Sequence, residues 1–333
     1  MNLPSLLAPF LCITLTLTLS AAAEPNARPF KNPEDRATWL ENMIVHHRFT
    51  PEELRSATGI SLEHANKSVA ELQQKPNPNL SNQAKPSNLA TQPIKVLPYP
   101  GGRHPRIGFL DGAIDPQRET KLSIFTPWDP NSYIVADVPE AIWSNLGLTY
   151  LAHTHIDTIW TKQKIDLPKL EWERLPNGDY RMERTLPNGI HFGTHARSTP
   201  EAVLMKMWLS NGTTSALSDL RVQNCVMLKG AHGFAAQTNT NKVTEGPFQA
   251  CRSESGDRWI ITAWKPLHRA WANAPVPCLH SDPKFPDTDP GQSQTLFGLV
   301  SFYEGKDIHR EFKRLNQNWE AWMKQPFGAP SIN

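Results

Sequence analysis

A chain of 333 residues, 39% hydrophobic and 20% charged, has room for one large domain or two smaller ones and material for a sizeable core. Its net charge of +2 removes any general electrostatic case for binding nucleic acid or an anionic membrane surface. Thirty prolines argue against a mostly helical protein, and most of the eleven tryptophans are expected in the core rather than on the surface as platforms for sugars.

The chain opens on an apolar run, Leu6 to Leu19, followed by Ala21, Ala22 and Ala23. That is the pattern of a secretory signal peptide cleaved before Glu24, although no Lys or Arg precedes the run. The run is too short for a membrane anchor and is broken by Pro9. No later segment is apolar enough to span a bilayer, so a secreted or periplasmic chain is expected.

Residues 24–74 read as a small helical module. Asn32 and Pro33 open a first helix whose Leu40, Met43, Ile44 and His47 share a face. Thr50-Pro51-Glu52-Glu53 opens a second that stops at Gly59, and Ser61 caps a third carrying Ala65, Val69 and Leu72. The run from Thr50 to Leu72 resembles a helix-turn-helix at its Ala-Thr-Gly-Ile-Ser turn. No basic recognition surface accompanies it, so ordinary three-helix packing is the expectation, with no nucleic acid as partner. Residues 75–95 are mostly Pro, Asn, Ser, Gln and Lys and read as a flexible linker, which makes the module separable.

Residues 96–325 change to short strands and turns: KLSIFTPW, YIVADVP, LTYLAHTHIDTIW, AVLMKMWLSN, DLRVQNCVMLKG, DRWIITAW and QTLFGLVSFYEG. Asn177-Gly178 and Asn188-Gly189 mark tight turns. Strands without alternating helices predict a mainly β fold, an antiparallel β-sandwich. A C-terminal helix from Asp307 would pack Ile308, Phe312, Leu315, Trp319 and Trp322 on it. The segment LMKMWLSNGTTSALSDLRVQNCVML resembles part of a galactose-mutarotase-like β-sandwich, a fold used in carbohydrate-active enzymes. The longer run from YPGGRHPRIGFLDG to FPDTDPG resembles uncharacterised secreted bacterial proteins, which implies no activity.

Three segments could carry chemistry. On a strand His153, His155 and Asp157 would point one way, and Gly147 with His153-x-His155 is similar to the first motif of cupins. No Glu follows at the cupin spacing and no second cupin motif is found. If any metal is held, His153 and His155 are its ligands, but no stoichiometric metal and no cofactor are expected. The segment from Lys265 to Gln292 reads as a long loop holding His268, Arg269, Trp271, His280, Asp282 and Asp287. It offers an imidazole, carboxylates, a guanidinium and a stacking ring. The segment around Arg103, His104, Asp111, Asp115, Arg118 and Glu119 offers the paired carboxylates that glycoside hydrolysis needs.

After signal removal Cys225, Cys278 and Cys251 remain, so at most one disulfide can close and one thiol stays free. The reading is a carbohydrate-active or carbohydrate-binding sandwich, with His155, Asp111 and Asp282 as acid–base groups. Arg269, Trp271, His280 and Arg103 would contact substrate. A non-catalytic envelope protein that recruits a protein partner through its helices, and a cupin-like metal enzyme, are the alternatives.

Overall fold

The computed structural model describes residues 27–73, 92–107, 118–153, 156–325 and 327. The apolar N-terminal run and its cleavage site, most of the linker, Asp111, Asp115 and His155 lie outside the described residues. Three helices come first: α1 (Pro33–Leu40), which continues as a π-helical segment Glu41–His46, then α2 (Pro51–Thr58) and α3 (Leu62–Gln73). Their ends follow side-chain chemistry. Asn32 accepts from the Asp35 N–H, Thr50 and Glu53 form a reciprocal capping box, and Gly59 closes α2 at φ +76°.

Strands β1 (Val96–Pro98), β2 (Lys121–Phe125), β3 (Tyr133–Ser144) and β4 (Gly147–Leu151) begin the β domain. β5 (Glu173–Arg174), β6 (Tyr180–Thr185), β7 (Ile190–Ser198), β8 (Ala202–Asn211) and β9 (Val222–Met227) follow. β10 (Lys242–Glu245), β11 (Phe248–Arg252), β12 (Arg258–Lys265), β13 (Leu267–Asn273), β14 (Cys278–Pro283) and β15 (Ser293–Glu304) complete it. Helix α4 (Ile308–Met323) comes last. The strands form two antiparallel sheets. One runs β1-β2-β3-β9-β14-β13, with β4 also on β3; the other runs β10-β11-β12-β15-β8-β7-β6-β5.

The fold is therefore mainly β, as expected. Its layers explain why the strands read as continuous apolar runs rather than clean alternation. In β8, Val203, Met205, Met207 and Leu209 fill the space between the sheets, while Ala202 and Leu204 face α4. Ile308, Phe312, Leu315 and Trp319 of α4 are buried on that outer face, and Asp307 caps the helix by accepting from the Arg310 N–H. Both Asn-Gly pairs turn hairpins, with Gly178 at φ +87° and Gly189 at φ +90°.

The outer face of the first sheet is covered by the N-terminal helices and the segment 99–107. Arg103 donates to Glu53 Oε1 and Oε2 at 2.5 and 2.6 Å and to the His47 and Arg48 carbonyls at 3.1 and 3.3 Å. His47 accepts from Ser123 Oγ at 2.7 Å, and its ring lies among Phe49, Tyr99, Phe125 and Tyr133. Arg28 reaches Glu119 at 2.7 Å, and the Arg118 guanidinium lies over Trp39 at 4.0 Å. The helices are thus docked on the sheet, and the residues that face them are not a free surface.

One expectation is corrected. The segment 265–292 is not a loop: it contains the β13–β14 hairpin, paired from Leu267↔Pro283 to Asn273↔Cys278. Its prolines punctuate rather than break the strands. Pro266 precedes β13, Pro275 and Pro277 lie in the turn, and Pro283 ends β14.

Candidate functional site

The docked face of the first sheet carries an unusual amount of polar chemistry. Register places Lys121 of β2 opposite Asp137 of β3, and Asp137 opposite Cys225 of β9. On the far strands Trp271 lies opposite His280 and Arg269 opposite Asp282. Cys278, His280 and Asp282 alternate along β14, so all three share this face.

Asp137 and Glu140 are three residues apart and would point to opposite faces of a regular strand. The pairing of β3 with β9 shifts register between Asp137 and Ala141, around Pro139, which has no N–H for the ladder. Both carboxylates consequently reach one imidazole. His153 Nε2 donates to Glu140 Oε1 at 3.1 Å and stands 3.6 Å from Asp137 Oδ2.

These charges are almost fully out of water, and each is matched. Lys121 Nζ lies 2.8 Å from Asp137 Oδ2, with both side chains at 0% exposure, and Thr120 Oγ1 donates to Asp137 Oδ1 at 2.5 Å. Arg106 donates to Glu140 Oε1, and Gln223 donates to Glu140 Oε2 at 2.8 Å. Burial pushes the Asp137 carboxyl up against the pull of Lys121. Burial acts the same way on Glu140, but Arg106 and the His153 hydrogen bond hold it well below the usual carboxylate range. His153 is pushed down to about 3, chiefly by burial and then by Lys121, and so stays neutral.

Beside these pairs lies a sulfur–nitrogen cluster. Cys225, Cys278 and His280 are buried, and their donor atoms lie within 4.8 Å of one another. His280 donates from Nδ1 to the Asn224 carbonyl at 2.8 Å, which leaves Nε2 as the acceptor of the Cys278 thiol at 3.1 Å. Arg106 Nη2 donates to Cys225 Sγ at 3.4 Å. Burial drives the Cys225 thiol pKa well above its ordinary value.

The row reaches solvent at β13. Arg269 donates to Asp282 Oδ2 at 2.8 Å and to Gln223 Oε1 at 3.3 Å, with its side chain 53% exposed. Trp271 Nε1 donates to Asp282 Oδ2 at 2.7 Å. Burial raises the Asp282 pKa, resisted by His280 and Arg269. Glu140 Oε2 and Asp282 Oδ1 flank His280 Nδ1 at 4.0 and 3.8 Å.

Of the residues singled out from sequence, Arg269, Trp271, His280, Asp282 and His153 meet on this face. Arg103 does not reach this row; it ties the helices to the sheet. Trp271 is no open stacking platform. His280 stacks on its ring at 3.8 Å, and the Arg269 guanidinium lies 4.9 Å from it. His153 falls after the end of β4, and Asp157 is exposed and accepts from Thr161, so these two do not converge as a strand pair would. Sequence reasoning missed Arg106, Lys121, Asp137, Glu140, Cys225 and Cys278. One signal was available: Cys278, His280 and Asp282 in CLHSDP, Gln223 and Cys225 in VQNCVM, and Lys121 and Ser123 in KLSIF recur at every second position.

No family model and no curated protein matches the chain. Solved structures that resemble it include carbohydrate-active enzymes. A putative kojibiose phosphorylase from the human microbiome aligns over 59% of this chain and 27% of its own, at 8% identity and a TM-score of 0.37. A polysaccharide lyase aligns over 68% of this chain and 34% of its own, at 10% identity and a TM-score of 0.36. The chain thus spans about a third or less of the length of these enzymes.

Proposed function

We propose that the chain is an exported protein that binds or acts on a carbohydrate where the polar row opens to solvent, at Arg269 and the half-buried Gln223, with Asp282 buried behind them. One observation carries this reading. A half-exposed guanidinium, a side-chain amide and two carboxylates are linked by hydrogen bonds across β3, β9, β13 and β14, the donor and acceptor types that sugar hydroxyls require. An exposed arginine among them favours a sugar that carries a carboxylate. In a catalytic version Glu140 and Asp282 are the pair of carboxylates that cleavage or rearrangement at a glycosidic centre needs. The competing reading is a scaffold without ligand. It draws support from the mutual pairing of these charges.

Calorimetric titration with neutral and uronate-bearing oligosaccharides separates the two. Uronate oligosaccharides should bind, and Arg269→Ala should weaken that binding about tenfold or more, the scale of one charged hydrogen bond. A folded wild-type protein that binds no member of the panel returns the chain to the scaffold reading.

A further inference from the structure

We infer that Cys225, Cys278 and His280 form a zinc(II) site buried under segment 99–107 and Trp271. The donor set is the first argument. Two thiols and an imidazole are the ligand types zinc prefers, and here they come from adjacent strands of one sheet, with all three side chains buried. In a tetrahedral zinc site donors stand roughly 3.3–3.8 Å apart. Here Cys278 Sγ and His280 Nε2 are already at 3.1 Å, and all three donors lie within 4.8 Å, so small side-chain rotations suffice.

Second, the surroundings orient these donors. The Asn224 carbonyl accepts from His280 Nδ1, fixing the tautomer whose Nε2 lone pair faces the sulfurs. Trp271 stacks flat on the same ring at 3.8 Å and 6°, which holds its plane. Arg106 donates to Cys225 Sγ, the contact that stabilises a metal-bound thiolate.

Third, the charge balances. Lys121 is matched by Asp137, Arg106 by Glu140 and Arg269 by Asp282. A Zn²⁺ held by two thiolates and an uncharged imidazole adds no net charge to that matched neighbourhood. When Zn²⁺ enters, each thiol releases its proton to solvent, and two thiolates cancel the two positive charges. No net charge is buried, which is the condition for a metal this deep in a sheet. A carboxylate-rich cluster would favour a harder ion; two sulfurs favour zinc. Three protein donors leave one tetrahedral position for an exogenous ligand.

The inference does not rest on the carbohydrate reading, although Arg106 and Trp271 touch both sites: Arg106 reaches Cys225 and Glu140, and Trp271 stacks on His280 and bonds Asp282. The test uses the full mature chain, reduced, stripped with chelator and titrated with Co²⁺ and then Zn²⁺. One Co²⁺ per chain with a thiolate-to-cobalt charge-transfer band, displaced by Zn²⁺, is expected. Cys278→Ser and Cys225→Ser should each abolish the band, while Cys251→Ser, on the other sheet, should leave it intact. Should the serine variants fail to fold, the wild type still decides: added Zn²⁺ should raise its melting temperature by several degrees, and chelator should reverse the rise. A folded, reduced wild-type chain with no charge-transfer band and no Zn²⁺ shift overturns the site, as does a native Cys225–Cys278 disulfide, read as a 2 Da mass deficit. Arg269→Ala should change oligosaccharide binding without changing cobalt uptake, so each proposal can fail alone.

Discussion

His47 shows how one residue joins sequence, packing and pH response. It was legible as the last member of an apolar helix face, and it is buried, but its role depends on a partner 76 residues away, Ser123 Oγ. Burial, helped by the positive charge of Arg103, pushes its pKa down from 6.5 to about 3, against the pull of the Asn42 carbonyl. Between those two values the unfolded chain takes up a proton that the folded chain refuses. Stability is therefore full above about pH 6.5 and falls as pH drops toward 3. At pH 5 this one group should cost about 2 kcal/mol. Urea midpoints at pH 7.5 and pH 5 measure the loss; His153, His46 and His104, held down in the same direction, add to it. His47→Asn should remove about a quarter of the pH dependence, and an unchanged difference would show that His47 does not carry it. At this scale the candidate site was half legible. His280, Asp282, Arg269 and Trp271 stand out because they cluster in sequence. Glu140, Arg106 and Cys225 come from distant segments and meet only through strand register and the shift around Pro139.

At the scale of elements, local rules read well wherever one period dominates. The α4 stripe, the caps at Asn32 and Thr50 and both Asn-Gly hairpins follow from spacing and turn chemistry alone. The β13–β14 hairpin was hidden because its prolines and charges imitate a loop; its strands are held by register with β9, which composition does not show. The same packing predicts a large effect on α4. Phe312 stacks on Phe248 at 5.1 Å and seals the outer face of the second sheet. Phe312→Ala should destabilise the protein by about 3–5 kcal/mol, measured by thermal or urea unfolding. A loss below about 1 kcal/mol would mean that α4 is not an integral layer.

For the molecule as a whole, the polar segment after α3 suggests two parts, yet the docking contacts hold them together. Proteolysis between Lys75 and Gln92 is expected from the composition of that segment. The cut fragments should still co-elute in gel filtration, because Arg103, Glu53 and the His47 cluster bridge them without the covalent link. Arg103→Ala should let them separate; fragments that part in the wild type would show the docking to be weak. Export is tested by the N-terminus of secreted material, which should begin at Glu24.

The strand order has a consequence for biosynthesis. β3 lies between β2 and β9, and β14 lies beside β9, so the polar row is assembled from residues 106 to 282. A chain emerging from its N-terminus can pair Lys121 with Asp137 early, but it cannot complete the row until β14 has been delivered, and pairings this distant in sequence form late and slowly. Until then Lys121, Asp137 and Glu140 have no finished sheet to bury them. The row is thus a marker of complete folding: a chain truncated before Cys278 lacks the β9–β14 pairing, and with it His280 and Asp282, the partners of Trp271 and Arg269.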